Sequence, residues 1–305
     1  MSLAPVAARL EQLLSNPVGF ASDCVGGAAE EPAAGLGNGE LLLLENLRFH
    51  PEEEANDPEF SRNLAACSDL YVNDAFGSAH RAHASTVGMT RFFSKAAAGF
   101  LMEKELQYLT QATSAPVRPF VTLLGGAKVS DKIEVIENLL PIVDVLVEED
   151  KIEMARRVLV LAQARNYRLQ LPIDHLIAEK LDAASPTRVV DGASAPIPDD
   201  YLAVDIGPRT IELYSREIAR AKTVLWNGPM GVFEIKPFAQ GTLAVAKALA
   251  SFGGTSIVGG GDSIAALAAA GVEDKITHIS TGGGASLEFL AGKKLPGVEA
   301  LSDML

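Results

Sequence analysis

The sequence is poor in cysteine, aromatic side chains and basic charge, and it has no apolar run long enough to cross a bilayer. Cys24 and Cys67 are the two cysteines in 305 residues. They lie far apart without metal-ligand spacing, and fit ordinary buried thiols in a reducing cytoplasm. Aromatic residues are 6% of the chain against 48% apolar residues, so the core is built from aliphatic side chains. Only 26 basic residues face 39 acidic ones, a net charge of −13. That balance argues against a general nucleic-acid surface and leaves room for a local basic pocket holding an anionic metabolite. The most apolar stretch, Ser263 to Val272, is too short and alanine-rich for a membrane span. Glu11 and Gln12 interrupt the apolar positions near the start, which is unlike a signal peptide. There Leu3, Ala7, Leu10 and Leu14 recur at helical spacing with Ser2 as a possible cap, predicting an amphipathic helix that needs a partner surface. No fixed repeat, low-complexity tract, Ser-His-Asp set or Cys-His nucleophile pair is recognisable.

What the chain does have is glycine in a particular place. Four apolar runs end in glycine clusters and pass at once into helix-like segments. They are Leu123 to Lys128, Trp226 to Gly231, Ile257 to Ser263 and Ser280 to Ser286. Strand, glycine turn and helix N-terminus form the backbone geometry that holds phosphate, because the chain approaches closely and free amides point at the charge. Four such turns predict a ligand site at the carboxyl ends of the strands of one parallel sheet.

Around these turns the alternation is regular. Strands are predicted at 120–124, 143–147, 168–171, 188–190, 222–226, 255–258 and 277–280. Helices are predicted at 130–139, 148–165, 209–220, 238–250, 262–270 and 285–290. Alternation of this kind gives βαβ units and a parallel sheet. In the first third, 17–25, 41–44 and 70–72 read as strands, 57–66 and 101–109 as helices, and 26–39 as a Gly/Ala/Glu-rich loop. One junction is anomalous. The strand ending at Val147 runs straight into Glu148-Glu149-Asp150, which leaves no room for a ligand-facing loop.

Several side chains bear on chemistry. Lys128 and Lys132 stand four apart at a predicted helix start, on one face. Cations there oppose the helix dipole, so either an anionic ligand gives a reason for them or they are two solvated lysines. Asp262 follows Gly259-Gly260-Gly261 and either holds Mg²⁺ against phosphate oxygens or caps the helix. Glu234 either accepts ribose hydroxyls or is an exposed surface residue. Arg48 and Arg81 suit a phosphorylated carboxylic acid, since guanidinium matches oxyanions bidentately. Alternatively, Arg48 pairs with one of Glu52 to Glu54. Metal binding by His80 and His83 lacks a third ligand.

Taken together, these segments resemble the phosphoglycerate kinase family. The matching stretches are Glu45–Phe49, Val72–Gly77, His80–Ser85, Gly99–Leu106, Gly125–Lys132, Trp226–Glu234, Gly259–Ser263 and Ser280–Ser286, in the family's order and over nearly the whole chain. The resemblance implies an α/β fold of two Rossmann-like three-layer domains with parallel sheets, joined by a helix near 100–111. Residues 1–110 would form an incomplete 3-phosphoglycerate domain, 111–291 the domain for ATP or ADP with Mg²⁺, and 292–305 a tail returning to the first. It implies reversible phosphoryl transfer in glycolysis by a cytoplasmic monomer, with no nucleic-acid or membrane partner. By position, Lys128 would stabilise the phosphoryl group in flight. Gly126, Ala127, Lys132, Asn227, Gly260, Gly261, Asp262 and Ser263 would bind the nucleotide, with Asp262 near the metal and Glu234 at the ribose. Arg48 and Arg81 would bind phosphoglycerate.

The chain also departs from the family's pattern. The family's opening Asp-Phe-Asn stretch, the arginine after it and a His-Leu-Gly-Arg-Pro stretch have no counterpart here, and two central strands go with them. A Gly-Gly-Met-Ala turn and helix are missing after Val147. Unpaired strand edges and an uncovered apolar helix face are expected in consequence. The alternative to an active kinase is therefore a nucleotide-binding remnant with impaired transfer.

Overall fold

The computed structural model describes residues 1–126, 132–139, 141–143, 145–148, 168–192 and 197–302. The chain divides into two compact units, one of Met1–Glu103 with the residues from Lys294 onward, the other of Lys104–Lys293. The division falls inside the helix Phe100–Ser114.

The first unit opens with the helix Ala4–Leu14, which carries Pro5 in its first turn and ends at Ser15 in the left-handed conformation (φ 51°). Its N-cap is Leu3 rather than the expected Ser2. Ser2 instead accepts from the Ala4 amide and donates to Glu45, whose other oxygen accepts the Leu3 amide at 2.7 Å. Of the predicted apolar stripe only Ala7 is buried and Leu14 is exposed, as are Val6 and Leu13 outside the stripe. Strands β1 (Val18–Phe20) and β2 (Leu41–Leu43) pair in parallel, as do β3 (Tyr71–Asn73) and β4 (Ala96–Ala98). These are two separate two-stranded sheets of three-residue strands. Apolar Leu41, Leu70 and Val72 are exposed beside them.

The loop expected over 26–39 contains a helix, Gly27–Ala34. Gly26 turns into it at φ 68°, and Ala29 is fully buried under it. The alanines and glutamates that look like loop composition are strong helix formers, and one buried alanine is enough to anchor two turns. A small core joins Cys24, Phe60, Leu64 and Ala84. The C-terminal residues complete the unit. The Gly297 amide donates to the Ala79 carbonyl at 2.8 Å and the Ser302 amide to Ala96 at 2.8 Å.

The second unit is built on a six-stranded parallel sheet. Its strands are β5 (Phe120–Leu124), β6 (Val145–Glu148), β7 (Leu169–Gln170), β11 (Thr223–Asn227), β12 (Thr255–Gly259) and β13 (His278–Ile279), in the order β13-β12-β11-β5-β6-β7. β5 and β11 are buried at every residue, as a parallel strand covered on both faces must be. The core between this sheet and the helices Pro208–Arg220, Gln240–Ala250 and Gly261–Ala270 is aliphatic around the fully buried Trp226 and Tyr214.

A second sheet of the unit differs from expectation. Strands β8 (Asp174–Ala178), β9 (Thr187–Asp191) and β10 (Leu202–Ile206) form an antiparallel sheet in the order β10-β8-β9. The strand predicted at 188–190 belongs here, not to the parallel sheet. β9 is largely exposed, and an edge strand with one wet face suits antiparallel pairing. The predicted helix 148–165 lies outside the described residues, apart from Glu148, which closes β6.

Candidate functional site

Sheet order decides the geometry. The four glycine turns follow β5, β11, β12 and β13, and these strands are consecutive neighbours in the sheet. Register aligns their ends: Leu124 lies opposite Asn227, and Asn227 opposite Gly259. All four turns therefore open at the carboxyl edge of the sheet, where parallel α/β folds bind ligands.

Adjacent turns are bonded to one another. The Gly125 amide donates to the Asn227 carbonyl at 3.0 Å. The Gly228 amide donates to Ser263 Oγ at 2.7 Å, and Trp226 Nε1 to the Gly228 carbonyl at 2.7 Å. Gly126, Gly228 and Gly260 have φ of 88°, 94° and 91°, a region closed to most side chains. At Gly228 space is closed as well, since a Cβ there would stand 2.7 Å from Lys132 Nζ. A Cβ on Gly283 would meet Gly260 Cα at 3.7 Å, which brings the fourth turn beside the third.

Lys132 is buried and donates Nζ to the Gly125 carbonyl, so its ammonium stands within the first turn, next to Gly126 and Gly228. Asn227 closes β11 with a buried Nδ2 that has no hydrogen-bond partner among the described residues. That atom faces the third turn, since a Cβ on Gly260 would lie 3.3 Å from it. An unsatisfied buried donor costs about 1–3 kcal/mol, and an anionic oxygen at the turn would satisfy it. The helix Gly261–Ala270 starts at Gly260, so Asp262 stands in its first turn rather than at its cap. Its exposed carboxylate takes no hydrogen-bond partner among the described residues, and capping does not account for it.

Gly126, Lys132, Asn227, Gly260 and Ser263 are thus gathered at adjoining turns, with Gly261 and Asp262 continuing the third. Ser263 is fully buried and holds the Gly228 turn through its hydroxyl. Glu234 is exposed in the following loop, which the Val232 amide ties to the Val204 carbonyl at 2.9 Å. Lys128 and Ala127 lie outside the described residues.

Beneath this loop is a residue that sequence reasoning missed. Asp205 is 1% exposed and accepts the Gly241 amide at 2.7 Å and the Ile206 amide at 2.9 Å. Burial pushes its carboxyl up to about 7, although both amides oppose the shift. An aspartate in an apolar strand at a helix start was the available signal. Glu105 was equally hidden inside an ordinary helical repeat. It is fully buried and bonded to His278 Nε2 at 2.8 Å and to the Thr281 amide and hydroxyl at 2.7 and 2.9 Å. Tyr108 stacks on the His278 ring at 4.7 Å.

In the first unit, Arg48 follows Asn46, whose side chain accepts the Arg48 amide at 3.0 Å. Its guanidinium pairs with Glu54 through Nη1 and lies 3.1 Å from His83 Nδ1 through Nη2. The acidic run after Arg48 thus supplies its partner, as the alternative reading held. Arg81 is exposed and contacts His80 at 3.2 Å. His83 is held below the ordinary histidine range by burial first and the Arg48 charge second. Each histidine therefore faces an arginine, which disfavours a cation between them. Glu53, 2% exposed, accepts both the amide and the hydroxyl of Ser85 and fixes the loop that follows.

Comparison with known proteins points to one family. The sequence model of the family described as phosphoglycerate kinase matches residues 1–147 and 144–293. The two matches meet at the junction after Val147 where the sequence lacks a loop. A phosphoglycerate kinase of Koribacter versatilis is 55% identical over 333 residues, covering 99% of this chain and 82% of the relative. One from Solibacter usitatus is 58% identical over 323 residues, covering 99% and 80%. Among solved structures, phosphoglycerate kinase from Coxiella burnetii superposes with a TM-score of 0.85 at 36% identity, covering 98% of this chain and 80% of that one. No helix of the described residues is long and apolar enough to cross a membrane.

Proposed function

The chain belongs to the phosphoglycerate kinase family, and on that premise we propose that it transfers a phosphoryl group reversibly between ATP and the carboxylate of 3-phosphoglycerate. The observation that carries this reading is the row of four glycine turns on adjacent parallel strands with the Lys132 ammonium among them. The turns from Gly126 and Gly260 to Ser263 bind the nucleotide phosphates through main-chain amides. Lys132 neutralises one of them, and Asn227 Nδ2 donates to another. Asp262 would hold Mg²⁺, a hard ion that takes one or two carboxylates beside phosphate oxygens. Glu234 binds the ribose.

The acceptor is a carboxylate, ionised at neutral pH, so the reaction needs no general base. The transition state is loose and anionic, and the work falls to positioning and positive charge. Lys128 is the group for the phosphoryl in flight. Arg48 and Arg81 bind phosphoglycerate, with His83 setting the Arg48 plane and the Glu54 carboxylate competing with substrate for its guanidinium. The protein acts in the cytoplasm as a monomer, on small anionic substrates.

A coupled assay of 1,3-bisphosphoglycerate formation tests the reading. Turnover that falls about 10²–10³-fold in Lys128→Ala is expected for loss of one charge aimed at the transition state. Absence of turnover in the wild-type chain with intact ADP binding would overturn it.

A further inference from the structure

Three unlike metal donors meet in the first unit, none of them assigned above to the nucleotide or the phosphoglycerate. Asp23 and Cys24 follow β1, and His50 begins the helix Pro51–Ala55. A carboxylate oxygen, the Cys24 Sγ and a ring nitrogen of His50 all lie within 4.8 Å of one another. We propose that Asp23, Cys24 and His50 form a binding site for a thiophilic divalent ion of the zinc class, leaving the fourth tetrahedral position to water.

The donor set suits such an ion, which takes sulfur, nitrogen and oxygen at about 2.0–2.3 Å and therefore needs ligand atoms about 3.5 Å apart. Rotation of Asp23 and His50 closes the difference, since both side chains are half-exposed, at 42% and 29%. Both are already aimed. Asp23 Oδ1 accepts the Cys24 amide at 2.6 Å and lies 2.7 Å from His50 Nε2. The His50 ring packs on Phe60 at 5.1 Å. Cys24 forms the floor, 0% exposed against Phe60, Leu64 and Ala84. The ion reaches the site from the solvent side, between the carboxylate and the imidazole.

Selectivity comes from the thiol. Sulfur is a soft donor that favours zinc-class ions, whereas the hard ions Mg²⁺ and Ca²⁺ take oxygen ligands. The site is therefore chemically separate from the one that would take MgADP. Occupancy would tie the Leu47–Phe49 turn, which bears Arg48, to the segment after β1.

Cobalt titration of the full chain tests this. One equivalent of Co²⁺ is expected to give a saturable sulfur-to-cobalt charge-transfer band that Zn²⁺ removes. Cys24→Ser abolishes the band and Cys67→Ser leaves it unchanged. Asp23→Asn and His50→Ala weaken Co²⁺ binding at least tenfold, and both are checked for folding by circular dichroism. A wild-type chain without the band overturns the proposal. So does a band lost in Cys67→Ser and kept in Cys24→Ser, or unchanged affinity in folded Asp23→Asn and His50→Ala.

Discussion

His278 Nε2 lies 2.8 Å from Glu105 Oε2, and both side chains are all but sealed from solvent. Burial alone would push the Glu105 carboxyl up. Donors from His278, Thr281 and Ser280 together outweigh it and hold the carboxyl below its ordinary value. A carboxyl lowered in the folded state contributes stability above its unfolded pKa and loses it as pH falls through the folded value. Glu105→Ala leaves the Thr281 amide and His278 without their acceptor, and is expected to cost about 2–3 kcal/mol. Chemical denaturation at pH 7 measures the cost, and the gap to wild type should shrink below about pH 4.

Asp205 has the opposite sign. Its folded value of about 7 lies above the unfolded one, so its protonated form is favoured by folding. Its contribution is complete at low pH and is lost as pH rises from about 4 to about 7. Asp205→Asn does not titrate. Whatever it costs at one pH, the Tm difference between the variant and wild type should move in the variant's favour from pH 5 to pH 8, followed by calorimetry. A constant difference would contradict the burial argument.

Gly228→Ala tests the closeness of the turns. The residue sits at φ 94° and a methyl group there meets Lys132 Nζ at 2.7 Å and the Gly125 backbone more closely still. Strain of about 1–3 kcal/mol is expected, read as a lower Tm. Because the same methyl displaces the lysine, ADP affinity should fall with it. Gly253→Ala, with nothing within 4 Å of its Cβ, is the control and should change neither.

Arg48 makes its contacts through both terminal nitrogens, to Glu54 and His83. Arg48→Ala is expected to raise KM for 3-phosphoglycerate at least tenfold, about 1.4 kcal/mol of lost binding. Glu54→Gln frees the guanidinium from a competing carboxylate and should lower KM. Steady-state kinetics at fixed MgATP separates the two effects.

Much of the second unit is legible in the sequence, because a buried parallel strand followed by glycine is a strong local signal. Leu123 to Gly126 and Ile257 to Gly261 announce both strand end and turn. What they do not announce is adjacency. That β5 lies between β11 and β6 is a long-range fact, and it alone makes four turns into one row. The antiparallel sheet is hidden for a different reason. In β10, Leu202 and Ala203 are exposed while Val204, Asp205 and Ile206 are buried, and the register shifts between Ala203 and Asp205. A bulge breaks the alternation that a two-residue period would show. The Asp23–Cys24–His50 cluster is invisible for a third reason: ligand spacing in the chain says nothing when a fold brings residues 26 positions apart together.

Calorimetric titration with MgADP tests the central claim most directly. If the glycine turns of β5, β11 and β12 hold the nucleotide's phosphates, wild type binds one MgADP. Lys132→Ala should weaken it at least tenfold, and Asp262→Asn should weaken it only when Mg²⁺ is present. A wild-type chain that binds no MgADP, or one whose affinity is unchanged by Lys132→Ala, would contradict the account.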